Sequence, residues 1–191
     1  MVKVNGVPLI NRTLNQLEQH NLSRIVIVTG YEGQKLREHI EGLHIKTPVV
    51  FIDNPVYDRT NNIYSLFLAK DYFLKQDTLL LESDIIFEDS VLNSLTDDPR
   101  DSLALAAKYE SWMDGTCLVL SDQDDIEAMI PGKKFRFSDT EHYYKTVNLY
   151  KFSQEFSRTH YVPFLEAYTK ALGNNEYYEQ VLKVLVTLDD P

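Results

Sequence analysis

Cysteine is almost missing from this chain: one residue of 191, Cys117, so no intrachain disulfide can staple it, which fits a reducing cytoplasm. With no CxxC partner, Cys117 reads as a small buried side chain. Long apolar runs are missing too. No stretch approaches the roughly 18 apolar residues of a membrane helix, and no signal-peptide pattern opens the chain. A cytoplasmic protein without a membrane partner is expected. Positive charge is scarce: 19 Lys and Arg face 29 Asp and Glu, a net charge of −10. That excludes nucleic acid as a partner but leaves room for a small phosphate-bearing ligand, neutralised by a metal and a few lysines. The histidines His20, His39, His44, His142 and His160 lack metal-type spacing. No repeat, low-complexity tract or Gly/Ser linker marks a boundary, so residues 1–191 read as one domain able to bury a core.

What is present alternates. Pro8 opens a helix whose apolar face is Ile10, Leu14 and Leu17. Residues 24–28 form a buried strand stopped by Thr29-Gly30-Tyr31, and Leu36, Ile40 and Leu43 restore helical spacing. Residues 48–52 are the next strand, 53–62 a polar loop, and Ile63, Leu66, Phe67 and Lys70 a helix. The strand ending at Glu82 completes a β-α-β-α-β run, which predicts a parallel sheet with right-handed crossovers. Beyond it the spacing predicts a short helix over 89–95, strands over 102–108, 116–120 (antiparallel) and 143–152, and helices over 153–172 and 174–188. Gly173 separates the last two, and Pro163 kinks or restarts the first.

Chemistry concentrates at the strand ends. Leu81-Glu82-Ser83-Asp84-Ile85 puts a carboxylate at the carboxyl edge of a sheet, where open α/β folds bind ligands and where Mg²⁺ can meet nucleotide phosphates. Capping of the next turn by Asp84 competes with that reading. In the 53–62 loop, Asn61 and Asn62 carry paired donors and acceptors suited to a base edge or ribose, while Asn62 is also a good N-cap for a helix starting at Ile63. Gly30 allows close approach of a ligand or simply a turn. Trp112 and Asp114 suit a cationic head group, or a packed Trp beside an Asp-Gly turn. Lys108 and Lys145 lie in predicted strands, where lysine is rarely buried without an anion.

Taken in order, these segments resemble the sugar-nucleotidyltransferase superfamily, in its branch of phosphocholine and 2-aminoethylphosphonate cytidylyltransferases. The residues that carry the likeness are Met1 to Ile10, Ile25 to Tyr31, Asn54-Pro55-Val56-Tyr57 with Thr60 to Leu66, Leu81 to Asp84, Lys108 to Thr116 and Tyr144 to Phe152. The resemblance implies a Rossmann-like α/β fold, with a mostly parallel central sheet and helices on both faces. It also implies transfer of CMP from CTP to a small phosphorylated or phosphonylated amine, with release of pyrophosphate. By the same likeness Asp84 would hold Mg²⁺, and Thr29, Tyr31, Asn61, Asn62 and Ser83 would lie along the nucleotide. Trp112, Asp114 and Asn148 would face the acceptor, and Lys108 and Lys145 its anionic oxygens. The Ser111-Trp112-Met113-Asp114-Gly115-Thr116 run favours the phosphonate side, because an acid suits a primary ammonium whereas a quaternary one asks for an aromatic cage.

Two family features are not found. The Gly-rich phosphate loop ending in Arg and Pro-Lys is expected upstream of Met1. The second metal-binding acid belongs to a Trp-Tyr-Glu-Ile-Asp-like motif beyond Asp189-Asp190-Pro191, and neither terminal Asp is assigned to it. A domain truncated at both ends is therefore expected, with homodimerisation across an exposed sheet edge. Fusion to a pyridoxal-phosphate aminotransferase occurs in that branch. Two alternatives stay open: a non-catalytic nucleotide-binding remnant, and a sugar-1-phosphate nucleotidyltransferase, including use of another NTP.

Overall fold

The computed structural model describes residues 1–188, so Asp189 and Asp190 lie outside the described residues. The chain opens with a short hairpin, β1 (Lys3–Val4) and β2 (Val7–Pro8), turned by Asn5 and Gly6 at positive φ. Sequence patterning did not predict it. Pro8 stands just before α1 (Leu9–Leu17), which buries Leu14 and Leu17. β3 (Ile25–Thr29) and β4 (Val49–Asp53) pair in parallel, Ile25 against Val49 through Thr29 against Asp53. The α2 helix (Gly33–Glu41) crosses between them and buries Ile40. Asn61 caps α3 (Asn62–Phe73), one residue earlier than the periodicity suggested, by accepting the Asn62 N–H at 2.8 Å.

One expectation of the sequence needs correcting. β5 (Thr78–Leu81) does not extend the parallel pair. It lies antiparallel to β9 (Tyr143–Phe152), with Leu81 opposite Leu149. After α4 (Asp89–Thr96), β6 (Leu103–Lys108) takes the other edge of β9, and β7 (Cys117–Leu120) shares the β5 edge further along. β8 (Ile126–Ile130), a strand the sequence reading missed, completes this five-stranded sheet against β7. A ten-residue strand with partners on both edges outcompetes the local β-α-β order, because it satisfies more backbone groups at once.

A helical run then returns the chain through α5 (Gln154–Phe156), a π turn at Ser157–Tyr161 and α6 (Val162–Leu172), with Pro163 in the first turn of α6 where no N–H is needed. The last helix, α7 (Glu179–Leu188), starts five residues later than predicted. Residues 174–178 lie instead across the α3 N-terminus. Asn61 N–H donates to the Asn174 carbonyl at 3.0 Å and Ile63 N–H to the Glu176 carbonyl at 3.3 Å. Tyr178 N–H in turn donates to Asn62 Oδ1 at 2.9 Å.

The strand period of two sends alternate β9 side chains to opposite layers. Tyr150 and Phe152 join Ile63, Phe73, Leu165 and Val181 on one face. Leu149 joins Leu14, Ile40, Leu92 and Leu95 on the other. Helices thus cover both faces. Between β3 and β5 the layers do not close: a cavity of about 700 Å³ opens there, walled by Ile25–Val28 on one side and Thr78–Asp84 on the other. Cys117 is buried at the start of β7, paired on both sides by β8 and β9, and burial pushes its thiol pKa up.

Candidate active site

The polar mouth of that cavity forms where β9 changes partners. β5 stops pairing at Leu149 and β7 begins at Lys145, while the register against β6 slips between Ala104 and Ala106. Inside this irregular stretch Asn148 takes the left-handed backbone conformation, φ 57°, which Asn tolerates better than most residues. Its side chain is thereby fixed from two sides: Oδ1 accepts the Thr146 hydroxyl at 2.9 Å and Nδ2 donates to Glu82 Oε2 at 2.9 Å. Backbone strain of this kind marks places where geometry serves more than stability.

Glu82, Ser83 and Asp84 leave β5 at this notch and line the cavity with Asn148, Asn62 and the Tyr177–Glu179 start of α7. Asp84 is exposed to the cavity. The Glu82 carboxyl is half-buried, and burial raises its pKa above the ordinary range. The hydrogen bond from Asn148 opposes that rise, whereas the nearby carboxylates of Glu179 and Asp84 reinforce it. Deeper in, Tyr150 and Tyr178 stack edge to face at 5.9 Å, and burial pushes the Tyr150 phenol up to about 12 and that of Tyr178 higher still. The hydroxyls of Tyr150 and Tyr178 and Glu179 Oε2 are all buried without a hydrogen-bond partner.

The residues singled out by sequence fall into three groups. Asn62, Ser83, Asp84 and Asn148 meet at the cavity wall. Asn61 sits beside them, but its side chain is occupied as the α3 cap. A second group lies on the loops beyond β6 and β7. Lys108 Nζ donates to the Glu141 carbonyl and rides over the Tyr144 ring at 4.4 Å. Trp112, 74% exposed, donates its indole N–H to Glu110 at 2.9 Å, and Asp114 accepts the Gly115 N–H at 2.6 Å. Lys145 Nζ packs against Gly115, where an added Cβ would come within 3.3 Å of it at φ 90°. The third group is the end of β3. Thr29 is buried and donates to Asp53 at 2.6 Å, Gly30 lets the Tyr57 ring sit against its Cα, and Tyr31 is exposed and edge-on to Tyr57. The glycine at this turn makes room for Tyr57, not for an open approach.

Glu82, Tyr178 and Glu179 were not assigned a site role from the sequence. Tyr178 fell inside the helix predicted over residues 174–188. The usable signal was Tyr177-Tyr178-Glu179 itself, polar-tipped rings beside an acid at a helix start.

With this geometry in place the fold can be compared. The solved structure of the CTP:phosphocholine cytidylyltransferase LicC from Streptococcus pneumoniae matches 97% of this chain and 75% of its own, with a TM-score of 0.75 at 22% identity. An apo UDP-glucose pyrophosphorylase matches 97% of the chain with a TM-score of 0.72 at 12% identity. The fold is the Rossmann-like fold of nucleotidyltransferases. No protein-family model matches the sequence. Among curated proteins, the CMP-5'-(3-aminopropyl)phosphonate synthase of Streptomyces rubellomurinus is 30% identical over 181 residues, 94% of this chain and 28% of that protein. The choline-phosphate cytidylyltransferase of Haemophilus influenzae is 36% identical over 91 residues, 48% of this chain and 36% of its own length. The chain thus spans about a third of the curated relatives it matches first. Its fold is shared with nucleotidyltransferases, and the curated proteins it is similar to include cytidylyltransferases.

Proposed function

We propose that the protein is a Mg²⁺-dependent cytidylyltransferase, transferring CMP from CTP to a small amine that carries a phosphonate or phosphate. The reaction joins an acceptor oxygen to the α-phosphorus of CTP and breaks the bond to the β-phosphate, with pyrophosphate leaving as the anion. No side-chain nucleophile is needed, so catalysis rests on positioning and charge stabilisation. The carrying observation is the notch where Asp84, Ser83, Asn148 and Asn62 converge on one cavity.

The donor set suits the metal: a hard carboxylate, Asp84, faces the cavity, and Mg²⁺ needs only one or two such groups beside phosphates and water. Bound there, Mg²⁺ would neutralise the triphosphate and polarise the α-phosphorus. Asn62, its Oδ1 held by Tyr178 N–H, would leave its amide N–H₂ for the cytosine or ribose, with Ser83 on the same cavity wall; Asn61, Thr29 and Tyr31 are assigned to the nucleotide by the resemblance. Lys145 would meet the acceptor's phosphonate oxygens, and Lys108 would do so after release from Glu141. Acceptors that pair an amine with a phosphonate or phosphate are supported by the names of the relatives, and a soluble, cytoplasmic setting agrees with a chain in which no described helix is long and apolar enough to cross a membrane.

The open slot between β3 and β5 bears on this reading. Among the described residues, β3 pairs only with β4 and β5 only with β9, so both present an unpaired edge to the cavity. A further strand placed there would join the two sheets and bring its own loop to the Asp84 mouth, as the resemblance implies for the phosphate loop. The deciding experiment is pyrophosphate release by the full-length protein with each NTP and a panel of amine and sugar-1-phosphate acceptors. CTP with an aminophosphonate or phosphocholine is expected to win, and preference for a sugar-1-phosphate would overturn the assignment.

A further inference from the structure

We propose that Tyr161 holds a buried water molecule, shared with the Tyr150 hydroxyl and the inward-facing oxygen of Glu179, and that this water ties the π turn after β9 to the start of α7. The site lies in the packed interior and involves neither CTP nor an acceptor, so it stands apart from the transferase reading.

The helical run after β9 is interrupted by the π turn at Ser157–Tyr161, a wider turn that shifts the following side chains around the helix axis. Two polar side chains inside that turn are wholly buried. Ser157 and Tyr161 are each 0% exposed, and each carries a hydroxyl without a hydrogen-bond partner. A hydroxyl so placed costs stability unless something bonds to it, and Phe would fill the same core position without that penalty. Single π turns of this kind occur frequently at functional sites.

The Tyr161 ring is fixed by Phe73, Phe152 and Phe156, with its centroid 4.9 Å from that of Phe152, so only its tip meets polar groups. After burial, Tyr150 and then Glu179 push the phenol pKa up, which identifies them as the neighbours of that tip. Tyr150 is 1% exposed, and its hydroxyl and Glu179 Oε2 are themselves buried without partners. Two phenols and one carboxylate oxygen thus meet in one region with no direct hydrogen bond among them.

One water satisfies all three. The Tyr161 O–H donates to the water oxygen, and one water O–H donates to Glu179 Oε2. The remaining contact is with the Tyr150 hydroxyl, which can donate or accept. Three partners is the usual complement of an interior water. A divalent metal does not suit the place, because among the described residues no three acidic, His or Cys side chains converge, and burial keeps both phenols neutral. Glu179 opens α7 and lines the cavity, so holding its Oε2 from within fixes one cavity wall against β9. Tyr161 is therefore a positioning residue.

The test uses the full-length protein in buffer alone. A high-resolution crystal structure should show a water within hydrogen-bond distance of both Tyr161 Oη and Glu179 Oε2, and clear density without it overturns the proposal. Tyr161→Phe keeps the ring and removes only the hydroxyl. It should raise the unfolding equilibrium constant about fivefold in urea denaturation, and Tyr150→Phe should do much the same. The double variant should add little to either single, because the water is already released once one phenol is gone. A Tyr161→Phe protein that is neutral or more stable overturns the proposal, and so do single effects that add in full. Hydrogen exchange supplies the positioning readout: Tyr161→Phe should speed exchange at the start of α7 more than within α6, although the substitution lies nearer α6 in the chain. Equal acceleration in the two helices leaves Tyr161 a packing residue and overturns the positioning role.

Discussion

The sheet built around β9 and the β3–β4 pair use similarly apolar strands, yet they end in opposite states. Around β9 nearly every edge is taken, by β5 and β7 on one side and β6 on the other, and both faces are packed. The β3–β4 pair presents an unpaired edge to a 700 Å³ opening. The polar groups repeat the contrast. The α3 start is fully tied, with Asn61 capping and Asn62 holding the 174–178 segment, whereas the Tyr150–Tyr178–Glu179 seam is buried and partnerless. Stability sits where backbone and side-chain groups are satisfied, and ligand capacity where they are not.

Several substitutions would break or sharpen that contrast. The largest effect is expected at the open side. Asp84→Asn in the full-length protein should lower turnover by about 100-fold or more, since it removes the charge that anchors the metal. Pyrophosphate release measures it, and near-normal rates would remove Asp84 from the chemistry. On the closed side, Leu118→Ala should cost about 3 kcal/mol in chemical denaturation, because Leu118 is fully buried and its neighbours cannot collapse inward. Ile27→Ala, which borders the cavity and is only partly buried against the Leu14–Ile40 core, should cost about 1 kcal/mol, less than truncation of a fully buried side chain. Equal costs at the two positions would mean the slot is filled in solution.

Asn61→Ala should cost about 1 kcal/mol through loss of the α3 cap. Weakened protection of residues 174–178 in hydrogen exchange should accompany it, because the cap and the crossing segment share the α3 N-terminus. The smallest effect has the opposite sign. The folded pKa of Glu82 lies above its unfolded value, so the folded state favours the protonated carboxyl. That contribution is present below the unfolded pKa and erodes as pH rises through the folded one. Glu82→Gln should therefore raise Tm at neutral pH by about 2 °C, kept small by solvent screening of a half-exposed group. The gain should disappear near pH 4, where both states of Glu82 are protonated.

Much of the fold was legible locally. The spacing of Leu14 and Leu17, of Leu36 and Ile40, and the apolar runs of β3, β4, β5 and β9 have periods that hold whatever surrounds them. The strand at 126–130 was missed because Ile126-Glu127-Ala128-Met129-Ile130 carries little β-branched character and gains its place by pairing with β7. Of the site, Asp84 and the Asn61–Asn62 pair stood out because they stand at a strand end and a helix start, where ligand and capping roles compete. Glu82 and Tyr178 did not, since 66 and 116 residues separate them from the groups that hold them, Asn148 and Asn62.

The sequence alone determined the order of most strands and helices, the net negative charge and the acids and amides at strand ends, because each follows from residues close together along the chain. The tertiary structure decided that β5 joins β9 instead of β3, that a slot remains between them, and that Asn148, Glu82, Tyr178 and Glu179 share one recess. Those outcomes depend on which distant backbone groups satisfy one another best, a competition settled only when all the strands are present at once.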